Sequence, residues 1–249
     1  MNSQFSSVRG AFHQRIAGWM LHAFTATGAF VGLLALMAIH EGKAITAFWL
    51  MGVAIVIDAV DGWFARALRV RENIPQIDGA LLDNIVDFFT YTLVPAFFIM
   101  VFPMVPDVMR IPCVWVITIA SAYQFTQVNA KTNDHFFLGF PSYWNIVLFY
   151  LFFWHMNPWL NVVILFVLAV LSFVPVKYVY PSRLDYLTRN NALRLTMFIL
   201  TLIWGATTAG LLWTWPHAHP LLVFLSVGYL VLYVAISLYR TWVPLLIAN

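Results

Sequence analysis

The chain has 249 residues, of which 62% are hydrophobic, 17% aromatic and only 9% charged, with a mean hydropathy of +0.83. So little charge excludes a water-soluble globular domain of this length and leaves an integral membrane protein, whose eleven tryptophans suit belts at two lipid interfaces. The net charge of +3 comes from basic residues scattered along the chain without a dense cluster, so topology and anionic lipid explain it and no nucleic-acid partner is expected.

In chain order, the polar stretch MNSQFSSVRGAFHQR leads into an apolar run that lacks a small-residue cleavage site. Residues 1–17 therefore read as a cytoplasmic or interfacial segment rather than a cleaved signal peptide. Runs able to cross ~30 Å of hydrocarbon predict spans near 18–39, 44–69, 78–102, 110–130, 141–156, 158–175, 190–214 and 218–243. The fifth and sixth are parted only by the short polar break in FFWHMNPWLNVV, with Pro158 as its turn signal, and fusion there would change the count. The expectation is an all-α, polytopic membrane helical bundle of about eight transmembrane helices, forming one domain over 1–249. Cys113 stands alone, which excludes an intrachain disulfide and leaves a small buried hydrophobe.

Orientation follows from the basic residues. With eight spans, Arg9, Arg15, Arg66, Arg69, Arg71, Lys131, Lys177, Arg183, Arg189, Arg194 and Arg240 share the side of the N-terminus, against Lys43 and Arg110 opposite. Positive-inside bias puts that side in the cytoplasm. No internal repeat or low-complexity tract is present, so duplicated transporter halves are not suggested.

The acids are distributed differently. Six of the ten, Asp58, Asp61, Glu72, Asp78, Asp83 and Asp87, fall within thirty residues. Asp58 and Asp61 are three apart and Asp83 and Asp87 four apart, so each pair shares a helix face. The two helices are consecutive and antiparallel, and both pairs lie near the cytoplasmic end. An ionised carboxylate within a span costs ~2.5–3.5 kcal/mol, and one neighbouring cation, Arg66, does not neutralise four. Two divalent metal ions would, and all-oxygen ligation favours Mg²⁺ or Mn²⁺ over zinc. A water-filled cavity or proton path is the alternative reading of the acids. The seven histidines form no competing cluster: His22, on the first span, either faces the site or simply packs, and the others fall at span ends or in loops. Gly62, Ala65 and Gly79 keep a groove open beside the acids, or let the helices pack. Arg66 offers a fixed fork for phosphate oxygens.

Together these residues resemble the signature of the CDP-alcohol phosphotransferases, DxxDGxxAR followed by GxxxDxxxD. The match is Asp58, Asp61, Gly62, Ala65, Arg66, then Gly79, Asp83 and Asp87. The spacer ALRVRENIPQID has twelve residues where the family usually has eight, and in this it is similar to the bacterial phosphatidylcholine synthase subgroup. Further likeness to that subgroup runs through HAFTATGAFVGLLAL, LLDNIVDFFTYTLVPAF and AKTNDHFFLGFPSYWNIVLF.

The resemblance implies attack of choline on the β-phosphate of CDP-diacylglycerol, giving phosphatidylcholine and CMP. It implies Asp58, Asp61, Asp83 and Asp87 as ligands of two divalent cations, Mn²⁺ or Mg²⁺, with Asp87 also the general base. Gly62, Ala65, Arg66 and Gly79 are assigned to the CDP moiety, with Thr25 on the first span as a further nucleotide candidate or a helix-buried threonine bonding its own backbone. A quaternary ammonium is best held by aromatic faces. Tyr91, Tyr123, Phe137, Tyr143 and Trp144 are the choline-pocket candidates, with interfacial belt or core as the alternative, and Asn84 and Asn145 either line the pocket or bond between helices. Lys131 and Arg183 are candidates for lipid phosphate, or set topology. Asp78 and Glu72 read as solvated loop acids. The implied setting is the bacterial inner membrane, with the site open to the cytoplasm and to membrane lipids, and a homodimer is implied by resemblance alone. Serine, inositol or glycerol 3-phosphate as acceptor is the second reading. A cation-coupled transporter and a structural membrane protein are the readings outside the family.

Overall fold

The computed structural model describes residues 2–67, 76–128, 130, 132, 136–180 and 190–243, with side chains from residue 15 onward. Among these residues the helices are α1 (Asn2–His40), α2 (Ala44–Ala67), α3 (Gly79–Asp87), a π-helical turn (Phe88–Leu93), α4 (Val94–Val101), α5 (Arg110–Thr126), α6 (Trp144–Phe153), α7 (Pro158–Leu171), α8 (Asn191–Thr214) and α9 (Pro220–Trp242). The described strands are β1 (Phe137–Leu138) and β2 (Lys177–Tyr178), which pair antiparallel. The protein is thus an all-α, multi-pass membrane protein, as its composition demands. It divides into two compact units, Met1–Pro103 with Trp144–Trp154, and Met104–Tyr143 with His155–Asn249.

The first unit is organised by α1. The helix starts at Asn2, so the polar N-terminal segment continues the same rod as the first span. It ends in a tight reversal: Gly42, at φ 73°, takes the left-handed conformation that only glycine adopts without cost, while Lys43 N–H donates to Ala38 O and Gly42 N–H to Ile39 O. A three-residue turn of this kind lays α2 antiparallel on α1. The buried seam of α1 runs Leu21, Thr25, Gly28, Gly32, Ala35 and Ile39, the spacing of one helix face. Its Gly28-Ala-Phe-Val-Gly32 segment lets backbones approach closely. A Cβ at Gly28 would lie 2.7 Å from Val86, and one at Gly32 would lie 2.6 Å from Phe89. Farther along, Phe48 packs on Phe98 at 4.8 Å, on Phe152 at 5.3 Å and on Phe149 at 5.7 Å between ring centroids, forming an aromatic core.

In the second unit, Gln124 Nε2 donates to Leu138 O at 3.0 Å, tying α5 to β1. Val179 N–H donates to Ser237 Oγ at 3.1 Å, and Tyr233 OH donates to Val179 O at 3.1 Å, fastening the segment after β2 to α9. The α8 and α9 helices are joined by Thr201 and Tyr229 hydroxyls 2.8 Å apart.

Among the described residues, six helical segments are long and apolar enough to cross a membrane: Arg15–His40, Ala44–Ala67, Gly79–Val101, Asp107–Thr126, Asn191–Thr214 and Pro220–Trp242. The expected fifth and sixth spans are shorter than their apolar runs, because α6 has ten residues and α7 fourteen. At ~1.5 Å per residue they cover ~15 and ~21 Å, less than the ~30 Å of a hydrocarbon core. The backbone explains why. Gly139 and Ser142, at φ 82° and 58°, keep the chain non-helical until Trp144, and His155 at φ 46° ends α6. Asn157 then caps α7, its side chain accepting from Trp159 N–H at 2.9 Å, with Pro158 in the first turn.

Candidate active site

The acidic motif is assembled by two helices of the first unit. Helix α2 carries Asp58 and Asp61 toward its C-terminal end, and α3 carries Asp83 and Asp87. The start of α3 is set by Asp78, whose Oδ1 accepts from the backbone N–H groups of Ala80 and Leu81, each at 3.1 Å. This N-cap fixes the phase of the helix, and hence the face on which Asp83 and Asp87 emerge. Asp78 is therefore a helix cap and not merely a solvated loop acid, the role that any aspartate just before a helix start suggests.

Asp58, Asp83 and Asp87 each offer a carboxylate oxygen, and these oxygens all lie within 4.8 Å of one another. The three side chains are half-buried. Three hard oxygen donors at that spacing suit a hard divalent cation and offer nothing to favour a soft one. Asp61 is not among this close set. It is 5% exposed, and the buried Thr25 side chain of α1 is its neighbour. Thr25 therefore adjoins the motif at Asp61, across the α1–α2 contact.

The motif's small residues divide into two kinds. At Gly62 a Cβ would meet only Arg66 Nη1, at 3.4 Å, so the space beside it is open. Ala65 and Arg66 are exposed at the end of α2. At Gly79, by contrast, a Cβ would lie 2.9 Å from Cε1 of His22, so this glycine admits the α1 histidine and does not border open space. His22 is 9% exposed, and its Nε2 has no hydrogen-bond partner among the described residues.

Tyr91 lies in the π-helical turn that follows Asp87, is 4% exposed, and donates from its hydroxyl to Asp58 Oδ2 at 2.9 Å. Of the other aromatic candidates, Trp144 is completely buried in the first unit. Tyr123, Phe137 and Tyr143 belong to the second unit, where Tyr123 packs on Phe173 at 4.6 Å and Phe137 on Tyr143 and Tyr180 at 6.1 and 4.5 Å. Asn145 Oδ1 accepts from Ile146 N–H at 2.8 Å, while Asn84 sits half-buried on α3 between the two aspartates. Lys131, Arg183, Glu72 and most of the twelve-residue spacer lie outside the described residues.

Fold and site together define a class: a multi-pass helical membrane protein with a carboxylate cluster built from two consecutive helices. No protein-family model matches the chain. It is similar to the phosphatidylcholine synthase of Legionella pneumophila, at 46% identity over 94% of this chain and 92% of the relative. The phosphatidylcholine synthases of Legionella bozemanae and Pseudomonas aeruginosa are 45% and 33% identical, over 87% and 90% of this chain and 100% and 91% of theirs. The chain belongs to the phosphatidylcholine synthase family of membrane enzymes.

Proposed function

We propose that this enzyme transfers the phosphatidyl group of CDP-diacylglycerol to choline, giving phosphatidylcholine and CMP. The observation that carries the reading is the convergence of carboxylate oxygens of Asp58, Asp83 and Asp87 within 4.8 Å of one another, in a chain similar along nearly its whole length to phosphatidylcholine synthases. The choline hydroxyl oxygen forms a bond to the β-phosphorus, the bond from that phosphorus to the CMP oxygen breaks, and the hydroxyl proton passes to Asp87. One oxygen of such a carboxylate can take the proton while the other would remain available to a cation.

Asp58, Asp83 and Asp87 would hold divalent cations, Mn²⁺ or Mg²⁺, with Asp61 as the fourth acid of a two-ion site. Bound there, the ions supply neutralisation of the diphosphate and of the departing CMP oxyanion. Arg66 engages phosphate oxygens, and the open side of Gly62 and Ala65 receives the nucleotide. Gly79, which the family signature assigns to the CDP moiety, fits better as the contact that seats α3 on His22. Asn84, Trp144 and Asn145 of the first unit remain candidates for choline, as do Tyr123, Phe137 and Tyr143 of the second, each set taken by itself, and Lys131 and Arg183 remain those for lipid phosphate. We place the site at the cytoplasmic face of a bacterial inner membrane, in one catalytic domain that pairs as a homodimer.

The test is CMP release by the purified protein from CDP-diacylglycerol and Mn²⁺, with choline, serine, inositol or glycerol 3-phosphate supplied separately. Release with choline alone, lost by a factor of about 100 or more in Asp87→Asn, is the expected result. Release with a different alcohol and none with choline would refute choline as the acceptor.

A further inference from the structure

The hydrogen bond between Tyr91 and Asp58 joins residues 33 positions apart, and the backbone of this segment is arranged to make it. Directly after Asp87 the helix widens: Val94 N–H donates to Phe89 O, five residues back, over the π-helical turn Phe88–Leu93. Pro95 gives the physical reason, since it has no N–H to donate and its ring crowds the carbonyl four residues earlier, which is that of Tyr91. A π-turn rotates the side chains after it relative to a continuous α-helix, and such turns recur at functional sites. Here the turn carries Tyr91 against α2. Its phenol is buried, its hydroxyl is on Asp58 Oδ2 at 2.9 Å, and Asp58 is one of the three close carboxylates.

We propose that Tyr91 is a positioning residue: its hydroxyl holds the Asp58 carboxylate in the orientation in which it meets a divalent cation, and it is not a choline contact. The inference rests on the metal reading of Asp58, Asp83 and Asp87 given above. A carboxylate with a fixed hydrogen-bond donor on one oxygen enters binding with its rotamer already chosen, and outer partners of this kind tune affinity for the metal.

Tyr91→Phe removes the hydroxyl and keeps the ring, so it separates the two roles. Mn²⁺ binding to the purified full chain is measured without substrate, by loss of the free-ion paramagnetic resonance signal, for the parent, Tyr91→Phe and Asp83→Asn. Weakening of binding by about tenfold or more in Tyr91→Phe, with turnover restored by saturating Mn²⁺ and an unchanged choline KM, is the predicted result. Unchanged Mn²⁺ affinity, or a raised choline KM at unchanged affinity, overturns the role for Tyr91 while leaving the metal site standing. Lost turnover that saturating Mn²⁺ does not restore also overturns it, as a merely structural role. If the parent binds no more Mn²⁺ than Asp83→Asn, the metal reading itself fails and the inference falls with it.

Discussion

A Cβ at Gly79 would lie 2.9 Å from His22 Cε1, so the first residue of α3 and the edge of the α1 imidazole occupy adjoining space with no room for a methyl group. Because α3 carries Asp83 and Asp87, any shift at Gly79 is passed to the carboxylates. Gly79→Ala is expected to destabilise the protein by about 1–3 kcal/mol, the usual range for overpacking, and to lower turnover. Truncating the opposing ring in His22→Ala should restore part of both. A double-mutant cycle on melting temperature and CMP release checks this coupling, and additive effects would contradict it.

Gly62 belongs to the same motif and should behave in the opposite way. A Cβ there meets only Arg66 Nη1 at 3.4 Å, and alanine is the better helix former by about 1 kcal/mol. Gly62→Ala is therefore expected to leave the melting temperature unchanged or higher while raising the KM for CDP-diacylglycerol. Steady-state kinetics beside a thermal melt in the same detergent separate the two effects. A fall in stability without a change in KM would remove Gly62 from the substrate groove.

The glycines of α1 and α9 make a third contrast. A Cβ at Gly28 or Gly32 would stand 2.7 Å from Val86 or 2.6 Å from Phe89, while one at Gly228 would meet nothing within 4 Å. Alanine at Gly32 should cost about 1–3 kcal/mol, whereas alanine at Gly228 should be neutral or favourable by up to about 1 kcal/mol. Thermal melts of the two variants check the ordering.

Asp78 and Asp83 are five residues apart on one element, yet they should respond differently. Asp78→Ala removes an N-cap and is expected to cost about 1 kcal/mol, with turnover reduced but present. Asp83→Asn keeps the shape of the side chain and removes a charge from the close carboxylate set, so turnover should vanish while the melt is preserved. Melting curves and CMP release for both variants test the distinction.

Much of this was legible in the residues themselves. The low charge and the apolar runs announce a multi-pass helical protein, and the spacing of Asp58, Asp61, Asp83 and Asp87 on consecutive antiparallel helices is enough to bring acids together. The length of α6 was not legible, because hydropathy does not register the left-handed residues Ser142 and His155 on either side of it, while α7 begins at Pro158 as expected and stops at Leu171. Asp61 and Gly79 illustrate a second limit: a motif position shows that a residue is needed, while only the packing of α1 shows that one neighbours Thr25 and the other makes room for His22. The GxxxG segment at Gly28 and Gly32 and the aspartate before α3 were available signals of that packing. The π-turn depends on Pro95 acting four residues back on Tyr91, a backbone effect that residue spacing alone does not reveal.

The most direct test of the account follows CMP release by detergent-solubilised protein given CDP-diacylglycerol and choline, first stripped of divalent ions by chelation and then resupplied with Mn²⁺, for the parent and Asp83→Asn. The account predicts no release from the stripped parent, recovery on adding Mn²⁺, and none in Asp83→Asn under either condition. Choline-dependent release by the stripped parent, or by Asp83→Asn at the parent's rate, would contradict it.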